Sequence, residues 1–285
     1  MRETRGTAAP RTAGVRSASA AFFLTAALLL SAAPVRAETK EERGKRIVAE
    51  ALKALGGDAF LAMKDRVEAG RAYAFGRRGL RGLARAKMYT RYGVKSKDAV
   101  EGFLLLDERQ SFGGGEEDYA YLFSCGNAYE ITYLGARPVP DAALDRYRQS
   151  AYHDVFTILR LRLNEPGMLV ISQGTDIFDN QPVEVVELID SENRSVLVSF
   201  HMSTKLPLRQ VFDRRDPKTR ERFVEESVFG KYRDVGGVEW PYVIQRTRNG
   251  EKIYEMYAES VQINQNLKAA LFELPVGSKM LEKER

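Results

Sequence analysis

Most of the chain between residues 67 and 263 is written with a period of two. Val67-Glu68-Ala69-Gly70-Arg71-Ala72-Tyr73-Ala74-Phe75 alternates small or apolar with polar positions, and residues 83–92 do the same. Segments 102–106, 119–123, 129–134, 183–189, 195–200, 208–212, 221–233, 241–248 and 251–263 continue the pattern, each bounded by Gly, Asp, Asn or Pro. This alternation is the signature of strands with one side chain up and the next down. The connections are short. Val235-Gly236-Gly237 and Asp216-Pro217 read as turns, and Asn249-Gly250 is the strongest short hairpin signal. Successive strands joined this tightly pair antiparallel. No strand–helix alternation argues for a parallel sheet. Residues 111–118 read as a flexible loop, and they lack the GxxxxGK[ST] spacing of a phosphate cradle.

Several strands are apolar on both faces. Val183, Val185 and Ile189 oppose Val186 and Leu188; Ile253, Tyr257, Val261 and Ile263 oppose Tyr254, Met256 and Ala258. A sheet with one wetted side keeps that side polar. These strands therefore need cover on two sides: helices on one, and a closing barrel wall or a bound apolar ligand on the other. Two helices are predicted. The first opens with the capping box Thr39-Lys40-Glu41-Glu42, buries Ile47, Val48, Ala51, Leu52 and Leu55, and stops at Gly56-Gly57. Residues 58–63 add one more short turn. The second, over 141–163, carries two apolar stripes, one through Leu144, Tyr147, Ala151, Val155 and Ile158, the other through Tyr152, Phe156, Leu159 and Leu163. A surface helix needs only one such stripe, so this helix is buried or covers something apolar. Glu165-Pro166-Gly167 ends it.

The first 37 residues have the order of a secretory leader. Arg2, Arg5, Arg11 and Arg16 precede an uncharged run over 18–33, and Pro34-Val35-Arg36-Ala37 supplies a small residue before the expected cleavage. The alternative is an uncleaved anchor, although a membrane span needs about 20 apolar residues. The chain carries 44 Lys+Arg and 39 Asp+Glu, net +5. The leader holds five of those arginines and one acid, so the 248 residues from 38 onward have 39 bases and 38 acids, net +1. A nucleic-acid role loses its electrostatic support. Such a length suits one large domain or two small ones. Cys125 is the single cysteine, so no internal disulfide can form and stability rests on packing.

Catalytic and metal-binding patterns are missing. The two histidines, His153 and His201, form no HxH, HExxH or Cys–His cluster. There is no GxSxG elbow, and Ser203-Thr204-Lys205 lacks SxxK spacing. Adjacent acids such as Glu116/Glu117 and Glu225/Glu226 lie on opposite faces of a strand and cannot act as a pair. Arg77-Arg78-Gly79-Leu80-Arg81 reads as a solvated hairpin tip, with an anionic surface as the other reading. The sequence implies no enzyme, no cofactor, no metal and no nucleic-acid partner.

Three ordered patterns close the chain: Thr204-Lys205-Leu206-Pro207-Leu208-Arg209-Gln210, then residues 229–241 with Tyr232-Arg233-Asp234-Val235-Gly236-Gly237-Val238-Glu239-Trp240-Pro241, then Val261-Gln262-Ile263-Asn264 leading to Phe272-Glu273-Leu274-Pro275. In this order, after an opening helix that ends in Leu55-Gly56-Gly57, they resemble the outer-membrane lipoprotein carrier and sorting proteins of the LolA/LolB-like superfamily. The resemblance is good over 180–275 and loose elsewhere. It implies a mainly β (α+β) fold, a curved, incompletely closed antiparallel β-barrel with helices packed on its concave face. It implies an apolar cavity and, as partners, lipid or lipoprotein acyl chains. The expected divisions are a leader at 1–37, a half-barrel domain at 38–276 and a charged tail at 277–285. The expected role is a non-catalytic periplasmic carrier or binding protein; the alternative is an envelope scaffold or sensor of the same fold that binds a membrane-anchored protein. Candidate cavity residues are Tyr73, Phe75, Tyr121, Phe123, Tyr152, Phe156, Leu159 and Trp240. No lid-locking arginine can be assigned.

Overall fold

The computed structural model describes residues 37–93, 106–114, 117–124, 127–216 and 219–283. The expected leader through residue 36, the expected strand over 102–105, Cys125 and Pro217 lie outside the described residues. The chain opens with helices α1 (Lys40–Ala54) and α2 (Asp58–Ala62). Six strands follow: β1 (Asp65–Gly76), β2 (Gly79–Tyr92), β3 (Leu106–Gly113), β4 (Tyr119–Ser124), β5 (Asn127–Thr132) and β6 (Gly135–Pro138). Helices α3 (Asp141–His153) and α4 (Val155–Thr157) and a π-helical turn over Ile158–Arg162 come next. Seven more strands complete the sheet: β7 (Leu169–Phe178), β8 (Gln181–Ile189), β9 (Ser195–His201), β10 (Pro207–Arg215), β11 (Arg222–Val235), β12 (Val238–Arg248) and β13 (Glu251–Ile263).

Among the described residues these strands form one antiparallel sheet, ordered β6-β5-β4-β3-β2-β1-β13-β12-β11-β10-β9-β8-β7. Consecutive strands pair within β1–β6 and within β7–β13, and the β1–β13 pairing joins these two halves. The strands β6 and β7, consecutive in sequence, stand at opposite edges and do not pair, so the barrel stays open. The chain between them must then cross the sheet. Residues 139–168 do so over the concave face, and that is why the second helical segment is apolar on two sides. The fold is mainly β, a curved open barrel with helices on its concave face.

One core joins the helices to that face. Ile47, Val48, Ala51 and Leu55 of α1 and Phe60 of α2 pack with Val186, Leu188, Val198 and Phe200 of β8 and β9, all almost completely buried. Burying each large side chain contributes about 1.5–3 kcal/mol. Thr39 and Glu42 form the predicted capping box, with Thr39 N donating to Glu42 Oε2 at 2.8 Å and Glu42 N to Thr39 Oγ1 at 3.1 Å. The Leu55-Gly56-Gly57 ending meets the β11–β12 turn directly. Gly56 has φ +119°, and a Cβ there would stand 2.2 Å from the Gly237 carbonyl oxygen. Glu239 N donates to Leu55 O at 3.1 Å across the same contact. Two of the patterns that carried the resemblance thus touch each other. A third links back to α1: Lys205, at φ 62°, places its Nζ 2.9 Å from Glu50 and 3.0 Å from Glu184.

Four expectations are corrected. Residues 111–113 are not loop but the end of β3, with Asp118 N bonded to Phe112 O at 2.9 Å. Strand β7 escaped the period-two reading because a bulge between Ser172 and Gly174 reverses its alternation. The helix expected over 141–163 breaks at Asp154, whose extended backbone (ψ 121°) lets its carboxylate accept from Thr157 N at 2.9 Å and restart the helix as α4. In β13 a register shift opposite Ala69/Gly70 reverses the faces, so Val261 and Ile263 join Ala258 and Met256 inside rather than Tyr257 outside.

Both sheet edges are attended to. Helix α1 lies on β7, and the segment near the C-terminus covers β6: Ala136 N donates to Lys279 O at 2.9 Å and Leu281 N to Ala136 O at 2.8 Å. No described helix is long and apolar enough to cross a membrane.

Candidate functional site

A cavity of about 700 Å³ lies between the concave face and the crossing segment. Its floor comes from both halves of the sheet and its roof from α3 and α4. Met88 of β2, Phe112 of β3, and Tyr121 and Phe123 of β4 line one wing. Phe229 of β11, Ile244 of β12 and Met256 of β13 line the other, with Phe156 of α4 above them. Aromatic contacts fix the inner end. Phe156 meets Trp240 with ring centroids 4.7 Å apart and Phe229 at 5.0 Å in an edge-on arrangement. Phe123 stacks under Tyr147 of α3 at 3.5 Å and ties the helix to the opposite wing.

The lining is not uniformly apolar. Arg66 of β1 lies over the Trp240 ring at 4.0 Å, its Nε 2.5 Å from Glu68 Oε1. Trp240 Nε1 donates to the same Glu68 oxygen at 3.0 Å, so this buried acid has a hydrogen bond from the indole beside its ion pair with Arg66. Burial opposes the charge on Arg66, but Tyr92, Glu68 and Glu108 more than offset it and hold the guanidinium protonated. Glu108 of β3 accepts from Tyr147 OH at 3.1 Å, and burial pushes its carboxyl above the usual carboxylate value. Burial and the neighbouring Glu108 raise the Tyr147 hydroxyl well above its ordinary range. Among the described residues no three His, Cys, Asp or Glu side chains could hold a metal ion.

Of the eight residues singled out from sequence, Tyr121, Phe123, Phe156 and Trp240 line the cavity. Tyr73 and Phe75 do not. They share the outer face of β1 with Arg71: Tyr73 packs edge-on against Tyr257 at 5.8 Å, and Lys252 sits 5.3 Å over Phe75. The inner face of β1 carries Arg66, Glu68 and Ala72 instead, and its polarity disguised it. Tyr152 lies beneath Arg194 at 4.0 Å and Arg162 at 5.0 Å, outside the cavity lining. Leu159, 1% exposed, belongs to the core. Sequence reasoning missed Phe112, Phe229 and Ile244. The first lay in a supposed loop; the other two could have been found from the pairing of Phe229 with Ile244 across the β11–β12 hairpin. His153 is buried and stacked on Phe212 at 4.2 Å, a packed core residue rather than a site residue.

No protein-family model matches the chain, and no curated protein matches it. Solved structures do. A domain described as outer membrane lipoprotein-sorting, from Vibrio parahaemolyticus, aligns with TM-score 0.52 at 14% identity, over 82% of this chain and 97% of that one. A DUF1329 family protein from Desulfovibrio piger aligns with TM-score 0.55 at 14% identity, over 82% and 98%. A LolA superfamily protein from Nitrosomonas europaea aligns with TM-score 0.50 at 11% identity, over 81% and 97%. The chain therefore has the LolA/LolB-like fold.

Proposed function

We propose that this protein is a non-catalytic binding protein that takes an acyl chain of a lipid or lipoprotein into the cavity and carries it across the periplasm. The observation that carries this is the cavity itself: β6 and β7 do not pair, the chain between them crosses the concave face, and about 700 Å³ is left between that chain and the sheet, lined from both halves by aromatic and aliphatic side chains interspersed with charged ones. Each buried methylene would contribute about 0.8 kcal/mol, so a long chain gains affinity without specific polar contacts. Tyr121, Phe123, Phe156 and Trp240 are the proposed chain contacts among the residues singled out from sequence. The likeness to a lipoprotein-sorting domain supports the same reading. Export through cleavage after Ala37, leaving a half-barrel over 38–276 and a charged tail, is part of the proposal.

The test is extraction. The full chain, expressed with its leader and purified from the periplasm, should begin at Glu38 and release acyl lipid detectable by mass spectrometry. Ala143→Trp, which fills the cavity from α3, should cut that lipid at least severalfold while leaving the fold intact by circular dichroism. Wild-type protein that is lipid-free, and that takes up none when mixed with lipid, would overturn the proposal.

A further inference from the structure

The cavity is graded along its length. Trp240, Ile244, Arg246 and Arg248, all on β12, line it in that order, from indole through aliphatic to guanidinium. Six residues of strand separate Trp240 from Arg246, about 20 Å. Half of a bilayer's hydrocarbon core, the depth that one acyl chain fills, is about 15 Å. The remaining length leaves room for a headgroup at the Arg246 end.

That end is cationic in an unusual way. Arg214 Nε and Nη2 each lie 3.3 Å from Glu225 Oε1, and Arg248 Nε lies 2.8 Å from the same oxygen. One carboxylate thus serves two guanidiniums. Arg146 reaches the same group from α3, and it has no hydrogen bond or ion pair among the described residues; Asp216 is the other acid in its field. Partial burial, then Arg248 and Arg214, disfavours its charge. Among the described residues Arg246 likewise has no carboxylate bond; it lies 5.7 Å from the Tyr254 ring. Across the β11–β12 pairing Arg246 stands opposite Ser227, and the diagonal acid Glu225 is already engaged by Arg214 and Arg248. Among the described residues, two guanidiniums at the Arg246 end of the cavity therefore keep their donors uncommitted. Bound charges are stabilised by such donors about twice as strongly as neutral acceptors are, so this mouth discriminates by headgroup charge.

We propose that the ligand of this cavity is an anionic amphiphile, with a carboxylate or phosphate headgroup held by Arg146 and Arg246 and its chain directed toward Phe229 and Trp240. This inference rests on the acyl-chain reading above and adds the headgroup to it. The test compares four ligands of one chain length, below their micelle concentrations: palmitate, lysophosphatidic acid, palmityl alcohol and monopalmitoylglycerol. In wild-type protein at least one anionic ligand should bind tenfold or more tightly than both neutral ones, and which of the two does so identifies carboxylate or phosphate. The double variant Arg146→Gln/Arg246→Gln should lose that preference while binding the neutral ligands as wild type does, which also shows it to be folded. Equal binding of charged and neutral ligands by wild type, or a preference that survives in the double variant, would overturn the proposal. If none of the four binds, the acyl-chain reading itself fails and this inference fails with it.

Discussion

His153 shows what one buried ring does to stability. Burial, first of all, holds its imidazole below the ordinary value, with the Nδ1 hydrogen bond to the Gln149 carbonyl at 2.7 Å opposing this in part. The unfolded chain takes up its proton near pH 6.5, before the folded protein does. The stability that His153 provides is complete above about pH 6.5 and declines as pH falls below it toward the depressed folded value. His153→Phe keeps the stack on Phe212 and removes the titration. Urea unfolding between about pH 7 and 5 should show wild type losing stability relative to this variant; parallel profiles would contradict it. Asp190 behaves in the opposite setting. Burial raises its carboxyl, but Arg162 and Arg194 more than offset that and hold it at about 2, so its contribution persists through this range. At this scale the sequence told less than it promised. Tyr73 and Phe75 were the conspicuous aromatics of β1, yet the inner face carries Arg66 and Glu68, whose pairing under Trp240 requires a partner 172 residues away in the sequence. Alternation shows that two faces exist and not which one is inside.

Elements were more readable than their interruptions. The capping box, the Gly56-Gly57 stop and the hairpin at Asn249-Gly250 are local chemistry, and each stands where it was expected. The bulges in β7 and β13 and the break at Asp154 are where local periodicity reverses, and they misled in proportion. Helix α1 contains a position where helix propensity and tertiary packing disagree. Gly44 is mid-helix, where alanine is favoured by about 1 kcal/mol. Yet a Cβ there would stand 2.7 Å from Val170 O and 2.9 Å from Ser172 N, both on the backbone of β7. Packing should win. Gly44→Ala is expected to destabilise by about 1–3 kcal/mol, seen as a lower urea midpoint at unchanged slope. A higher midpoint would mean that α1 does not dock on this edge as closely as described.

The whole molecule follows from one topological fact: a sequential antiparallel meander whose β1 and β13 pair in the middle leaves β6 and β7 apart. That arrangement opens the barrel, sends residues 139–168 over the concave face and creates the cavity. Strand content and antiparallel order could be read from the sequence, and the ordered patterns from Thr204 to Pro275 pointed to the fold. The cavity could not be read this way, because its walls come from strands on both sides of the β1–β13 pairing, far apart in sequence, and its mouth from arginines that look like solvated charge. The most direct test of the acyl-chain claim uses the single tryptophan, Trp240, which lines the cavity and is 2% exposed. Fluorescence of the purified protein should be titrated with palmitate brominated along its chain, and with unbrominated palmitate as control. Saturable quenching by the brominated ligand alone, absent in Ala143→Trp/Trp240→Phe and competed by unlabelled palmitate, is the predicted result. Brominated chains that bind without quenching Trp240 would place the ligand outside this cavity, and chains that do not bind would contradict the acyl-chain claim.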